Sequence, residues 1–403
     1  MRTPPREPRI IWNSRHLPIP VDAFQAGPVP ASDGNTRVRE LPGLELWVTV
    51  TPSLPLETIS SLCSRPGAAV LRVNSSKFAG HADLAQFLRR CVAVRARTPR
   101  IRICLDLGAE KIRIRGLKSV SGRESIDLFR HERIALVDAA RVAEALDRAG
   151  RSTAKVVPIT TAPARLPVDV GDLVFISDGW VQLRVAGRDG EVLWCEALHD
   201  GRTFEGRGVD VPGIYDRIQP VRDDEVRTVL AVHGELEGTD LVALSFVNGG
   251  DEVSAFRERL SRAGVELPVV AKIETRTGVE HARGIAEAAD CMMVARGDLA
   301  VQLAPEGIDM LAVEDRLRSV CRDVRRPCVI ATRVADSLEK GTSTLADHER
   351  FRLYHELSTG PPLALLLAGE TMDPERALAN YDIVAATIAE LAGEFPAWSL
   401  PRA

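Results

Sequence analysis

Two short apolar runs that end on charge decide the fold: Val269-Val270-Ala271-Lys272-Ile273-Glu274 and, after a short helical stretch, Cys291-Met292-Met293-Val294-Ala295-Arg296-Gly297-Asp298-Leu299-Ala300-Val301. Each begins as a strand without a polar face, the pattern of a parallel strand covered on both sides. In the first, Lys272 and Glu274 stand two apart. Side chains alternate faces along a strand, so a cation and an anion are aimed at one place. The second run stops at Asp298. Ligands of parallel α/β folds bind beyond the carboxyl ends of the strands, so Lys272, Glu274 and Asp298 are candidates for one site. Two carboxylates suit a hard divalent ion such as Mg2+ or Mn2+. An ion pair capping a barrel would gather the same residues, and these runs alone leave both readings open.

Working outward, the chain from Glu45 alternates apolar strands with helical segments, the mark of a βα architecture. Strands are predicted at Glu45–Val50, Ala68–Val73, Ile101–Leu105, Asp240–Ser245, Pro268–Lys272, Cys291–Ala295, Pro327–Ala331 and Leu363–Leu367. Eight βα units are what a closed TIM (β/α)8 barrel of the α/β class requires. More than a hundred residues separate the third strand from the fourth, so most of that gap is an inserted domain. It holds Val170–Gly179, Val181–Val185 and Val192–Ala197, short strands broken by Gly-Asp and Asp-Gly turns, which predicts a small β-rich module. Apolar residues at helical spacing from Leu136 to Gly150, among them Val142, Ala145 and Leu146, add one helix. The expected division is barrel over 41–113 and 214–403 and inserted module over 114–213. Residues 1–40, rich in Pro and Arg, read as an extended arm.

The 403 residues suffice for a large core, and a formal net charge of -4 gives no reason to expect nucleic acid or an anionic membrane as partner. No apolar run reaches transmembrane length, and prolines and charges follow Met1 where a signal peptide needs an apolar stretch, so the chain reads as cytoplasmic. The seven cysteines form no Cys-x-x-Cys pair and read as reduced core thiols.

Further polar residues stand at the other strand ends. Arg72, Asn74 and Ser76 lie two apart and present a guanidinium and two neutral oxygens, which suits a phosphate. Asp106 ends the third strand, Thr332 follows the seventh, and Gly369-Glu370 closes the eighth. Any one of these is more often a turn or cap residue; six strand ends together point to a site.

These stretches resemble the pyruvate kinase family. The likeness rests on Lys272-Ile273-Glu274, Met293-Val294-Ala295-Arg296-Gly297-Asp298-Leu299, Arg72-Val73-Asn74-Ser75-Ser76, Ala331-Thr332, Gly369-Glu370-Thr371 and Gly208-Val209-Asp210-Val211-Pro212-Gly213. It runs in matching order over roughly residues 45 to 390. It implies a barrel with a β-domain lid inserted after the third strand and phosphoryl transfer between phosphoenolpyruvate and ADP, giving pyruvate and ATP. By the same resemblance, Glu274 and Asp298 bind the divalent metal, Lys272 stabilises the phosphoryl group in flight and Arg72 holds it. Gly297, Asp298 and Thr332 bind substrate, Thr332 lying beside the carbon that gains or loses a proton. Arg113 and Arg207 match residues that face the nucleotide phosphates, and Pro52 and Lys77 fall at further nucleotide-side positions.

Departures accompany the likeness. Of the family's potassium ligands, Asn74, Ser76 and Asp106 remain, but the Thr position is Leu107 and a nearby Glu position is Lys111. This resembles the potassium-independent branch, in which a fixed ammonium supplies the monovalent charge. Lys77 stands where His is common, Asn248-Gly249-Gly250 where a basic pair is common, and Arg350–Pro362 does not match the usual helix. The chain ends soon after the eighth βα unit, so the expectation is a protein without the family's C-terminal regulatory domain and a homodimer. Two alternatives stay open: the same pyruvate-enolate site serving an oxo-acid decarboxylase, an aldolase or a kinase of another acceptor, or a catalytically idle binding subunit.

Overall fold

The computed structural model describes residues 44–108, 111–143, 155–177, 179–217, 222–238, 240–304, 307–359 and 364–393. The expected arm lies outside the described residues. In chain order, β1 (Glu45–Val50), β2 (Ala68–Asn74) and β3 (Arg102–Leu107) lead into the inserted segment. That segment holds β4 (Ser125–Leu128), β5 (Arg133–Asp138), β6 (Lys155–Ile159), β7 (Leu173–Ile176), β8 (Val181–Asp189), β9 (Val192–Ala197), β10 (Gly201–Phe204) and β11 (Val209–Asp210). Then come β12 (Leu241–Leu244), β13 (Val269–Ile273), β14 (Cys291–Ala295), β15 (Cys328–Ala331) and β16 (Ala364–Leu367).

Eight of these close a barrel in the order β1-β16-β15-β14-β13-β12-β3-β2, every neighbour parallel. All eight predicted strands take part. Alternation along each strand divides the apolar residues into two layers. Leu46, Val48, Leu71, Ile103, Leu105, Val242, Ala271 and Met292 face the surrounding helices. Trp47, Val70, Cys104, Ala243, Val270 and Met293 fill the interior. Two residues beyond five of these interior positions stand Thr49, Arg72, Asp106, Ser245 and Lys272, so the layer nearest the C-terminal mouth is polar. The site is therefore an outcome of barrel register.

The inserted segment folds as a six-stranded sheet, β11-β7-β8-β9-β5-β6, and a two-stranded one, β10-β4. Its core includes Leu136, Val157, Leu183, Leu193, Ile214 and Tyr215, together with Phe246 from the loop after β12. One barrel aromatic is thus buried in the lid.

The helix expected from Leu136 needs correcting at its start. Leu136–Asp138 completes β5, paired with β6 and β9 on either side, and Ala139–Arg141 is a 3-10 turn. A short buried apolar run has no periodicity that separates strand from helix, and here two neighbouring strands supply its hydrogen bonds. Ala145 and Leu146 lie outside the described residues. The segment from Arg350 does form helix despite its unfamiliar sequence, within Asp347–Ser358, with Leu353 and Leu357 buried. All seven cysteines are free and buried. Among the described residues, no helix is long and apolar enough to cross a membrane.

Candidate active site at the barrel mouth

Arg72 and Lys272 converge on Asp106, and each is held in turn by the end of a further strand. Arg72 Nε donates to Asp106 Oδ2 at 2.6 Å and Arg72 Nη1 to Thr49 Oγ1 at 3.1 Å. Lys272 Nζ lies 3.2 Å from Asp106 Oδ1 and 3.1 Å from Glu274 Oε1, and donates to Ser245 Oγ at 2.8 Å. Burial acts to raise the Asp106 carboxyl, but Lys272 and Arg72 outweigh it and hold that carboxyl below its ordinary range. Burial acts in turn to lower the Lys272 ammonium, and Asp106 and Glu274 hold it above its ordinary value. Both groups are charged at neutral pH, and the lysine is fixed from three sides.

Glu274 and Asp298 form the second layer of the mouth. Glu274 is fully buried, and its Oε2 accepts from Phe246 N at 2.7 Å. Its Oε1 is near enough to Lys272 for an ion pair yet is not aligned with any donor as a hydrogen bond among the described residues. Burial raises the Glu274 carboxyl, and Asp298 adds repulsion, against the attraction of Lys272. Burial likewise opposes ionisation of Asp298, but Lys111 holds this carboxyl below its ordinary range. Lys111 Nζ is hydrogen bonded to Asp298 Oδ1 and stands 5.4 Å from the centre of the Phe246 ring. The fixed ammonium expected from the sequence is therefore paired with the carboxylate site.

A divalent ion fits this donor set. A buried carboxylate oxygen without an aligned donor, and a second carboxylate held ionised, are hard oxygen ligands of the kind Mg2+ and Mn2+ select. Among the described residues, no three His, Cys, Asp or Glu side chains converge as a metal cluster. The protein offers two carboxylates, leaving the remaining positions to substrate and water, the usual arrangement where Mg2+ meets phosphate.

Next to Asp298, Thr332 Oγ1 accepts from Gly297 N at 2.9 Å. The helix Arg296–Leu303 starts at this point, and a β-carbon at Gly297 would come within 3.3 Å of that oxygen. Thr332 and Arg333 both adopt left-handed backbone, with φ of 63° and 53°. For a β-branched residue this is strained, at a cost of about 1–3 kcal/mol, and such strain gathers at functional sites. Arg296 is buried on Glu314 and Glu356, so it anchors the helix away from the mouth.

Asn74 Oδ1 accepts from Ser76 N at 3.0 Å and Ser76 Oγ at 2.8 Å, and a β-carbon at Gly108 would stand 2.7 Å from Ser76 Cβ. The Leu107 side chain packs in the outer, helix-facing layer. Its backbone carbonyl accepts from Ser245 Oγ at 2.7 Å, so a backbone oxygen stands at this level whatever the side chain. On the lid side, Arg113 and Arg207 flank one junction: Ile114 N donates to Arg207 O, and Arg113 bridges to Gly208. The Arg113 guanidinium donates to Gly206 O at 3.1 Å. Pro52 and Lys77 are exposed at the β1 and β2 ends.

Sequence reasoning missed Thr49, Ser245, Phe246 and Tyr215. Thr49 and Ser245 lie within predicted strands, where alternation with inward residues was the available signal, and Phe246 follows directly after one of them. Tyr215 stacks on Phe246 with ring centres 3.8 Å apart, a pairing no local pattern announces. Glu370, read from the sequence as one of the polar strand ends, is fully buried and accepts from Ala335 N at 3.0 Å and Ala368 N at 2.7 Å. It ties the loop after β15 to β16.

Residues 46–349 match the family profile described as pyruvate kinase, barrel domain. Among characterised proteins, the chain is similar to pyruvate kinase of Staphylococcus saprophyticus, 26% identical over 300 residues, covering 72% of this chain and 47% of the relative. Pyruvate kinase of Mycobacterium intracellulare is 33% identical over 216 residues, 53% of this chain and 44% of the relative. That of Mycobacterium tuberculosis is 31% identical over the same length, with the same coverage. The chain thus spans about half the length of the curated relatives it matches. On the profile match across most of the barrel, this chain belongs to the pyruvate kinase family.

Proposed function

We propose that the protein transfers a phosphoryl group between phosphoenolpyruvate and ADP, giving pyruvate and ATP, with Mg2+ or Mn2+ held by Glu274 and Asp298. The observation that carries this reading is the Lys272 ammonium, fixed by Asp106, Glu274 and Ser245 between the Arg72 guanidinium and the two candidate metal ligands. Cations on both sides of one spot neutralise a phosphoryl group as it passes from one oxygen to another, and no covalent enzyme intermediate is required. When bound, the divalent ion supplies Lewis-acid stabilisation of an enolate oxygen. Arg72 holds the phosphoryl oxygens, and Lys272 balances charge as the bond from phosphorus to the enol oxygen breaks and that to an ADP oxygen forms. Thr332 lies at the face where the enolate carbon takes up its proton. Arg113 and Arg207 meet the nucleotide phosphates from the lid, with Pro52 and Lys77 on the barrel side.

Lys111, by the same reading, serves in place of potassium. Its ion pair with Asp298 and its seat over Phe246 support an ammonium built into the site. A second reading, an enolate site with another phosphoryl acceptor, is favoured by Asn248. Its Nδ2 donates to Tyr215 O at 2.8 Å and its Oδ1 accepts from Thr275 Oγ1 at 2.5 Å, so a position often basic in relatives is neutral and engaged within the fold. A coupled assay with phosphoenolpyruvate, ADP and Mg2+, with and without potassium, tests both. Pyruvate formation dependent on ADP and insensitive to potassium is expected. Pyruvate-enolate chemistry without ADP dependence would refute the first reading.

A further inference from the structure

The Tyr215 hydroxyl is a buried polar group that the mechanism above does not use. Tyr215 lies in the short helix Ile214–Arg217, directly after the lid chain returns to the barrel through β11. The residue is 7% exposed, and its hydroxyl has no hydrogen-bond partner among the described residues. An O–H buried without a partner costs about 1–3 kcal/mol, so a fold that keeps one at a charged mouth calls for an explanation. A phenylalanine would supply the same stack on Phe246 without that cost.

The surroundings indicate what the hydroxyl meets. The ring is stacked on Phe246 at an interplanar angle of 18°, and Phe246 N holds Glu274 Oε2. Lys111, paired with Asp298, stands over the same Phe246 ring. Asn248 Nδ2 fixes the Tyr215 backbone carbonyl. The tyrosine is thus locked against the residue that orients one candidate metal ligand, next to the lysine that pairs with the other. Burial raises the hydroxyl's pKa, with Asp210, Asp298 and Glu274 acting in the same direction and Lys111 against it. It stays protonated and serves as a donor.

We propose that Tyr215 is a ligand-positioning residue, its hydroxyl donating a hydrogen bond to an anionic oxygen that shares the divalent ion with Glu274 and Asp298. That oxygen belongs to the carboxylate or phosphate of phosphoenolpyruvate, or to a phosphate of the nucleotide. The inference rests on the reading of the carboxylate pair as a metal site.

The test is Tyr215→Phe, which keeps the stack and removes only the hydroxyl. Calorimetry reads binding of Mn2+ alone, of phosphoenolpyruvate with Mn2+, and of ADP with Mn2+. The expected result is unchanged affinity for Mn2+ alone and a loss of roughly ten- to a hundredfold in one of the other two arms, the scale of one hydrogen bond to a charged acceptor. The affected arm identifies the oxygen. Ligand-free Tm should stay equal or rise, because the variant removes a buried unpartnered group, whereas a purely structural hydroxyl would lower it. Unchanged affinity in all three arms, or a fall in ligand-free Tm with binding intact, overturns the proposal. Binding is read apart from turnover, so an unsubstituted protein that binds both ligands without transferring phosphate refutes the phosphotransferase reading while the comparison still decides the role of Tyr215. An unsubstituted protein that binds no Mn2+ refutes both.

Discussion

Lys272→Met removes the ammonium that three groups hold in the barrel. The lysine is 7% exposed and stands 3.1 Å and 3.2 Å from two carboxylates. Asp106 keeps Arg72, but Glu274 loses its ion-pair partner, with only the more distant attraction of Lys111 left. Breaking a buried ion pair by deleting one side costs about 3–5 kcal/mol. Against a stability of about 5–15 kcal/mol, the variant should fold, with Tm lowered by roughly 5 °C. The effect on chemistry should be larger and selective. Loss of one preorganised stabilising group costs about 10²–10³ in turnover, and that loss falls on the migrating phosphoryl group. Exchange of pyruvate methyl protons depends chiefly on the ion at Glu274 and Asp298 and should stay within about tenfold of the parent at saturating Mn2+. Coupled turnover and proton exchange by NMR, both at a temperature where circular dichroism shows a folded variant, make the comparison. Equal loss of the two activities would refute the division of roles.

Asp298→Asn should weaken Mn2+ binding at least tenfold, because one of two carboxylates loses its charge; calorimetry showing parental affinity would exclude Asp298 as a ligand. Parent activity should be nearly the same in sodium, potassium or a bulky organic cation. Lys111→Glu should lose most of the activity, since it sets a second negative charge beside Asp298; strong potassium activation of the parent would contradict the role of Lys111 as the internal cation. Burial raises the Glu370 carboxyl from 4.5 to about 7. The folded state therefore binds the proton more tightly than the unfolded chain, and stability present below about 4.5 falls as pH rises through about 7, by about 3 kcal/mol. Glu370→Gln should flatten that fall in denaturant midpoints between pH 5 and 8, and an unaltered slope would assign it to other groups.

The barrel was legible because parallel strands buried on both faces must be apolar throughout, and eight such runs stand at regular spacing outside one gap. Charges near their ends were legible for the same reason: Arg72, Asp106, Lys272 and Glu274 interrupt runs that are otherwise mostly apolar. Ser245 and Thr49 carry no charge and so gave no comparable signal, although they complete the shells of Lys272 and Arg72. The segment at Leu136 could not be settled locally, since its strand state depends on β6 and β9, one of them far along the chain. Lys111 was read as an internal cation from the family resemblance; its partner Asp298 lies 187 residues away and emerges only when the barrel closes. The stack of Tyr215 on Phe246 joins lid to barrel and is a tertiary fact throughout.

The two consecutive left-handed residues after β15 have a bearing on how this sequence responds to selection for heat tolerance. Glycine adopts that backbone freely, so Thr332→Gly or Arg333→Gly is an accessible route to a more stable protein. At position 333 the gain leaves the Thr332 hydroxyl in the chain. At position 332 it deletes the acceptor of the Gly297 amide and frees the start of the helix that carries Asp298. Thermal screening alone would therefore reward a change that loosens the mouth of the barrel, and threonine persists there only where turnover is also demanded.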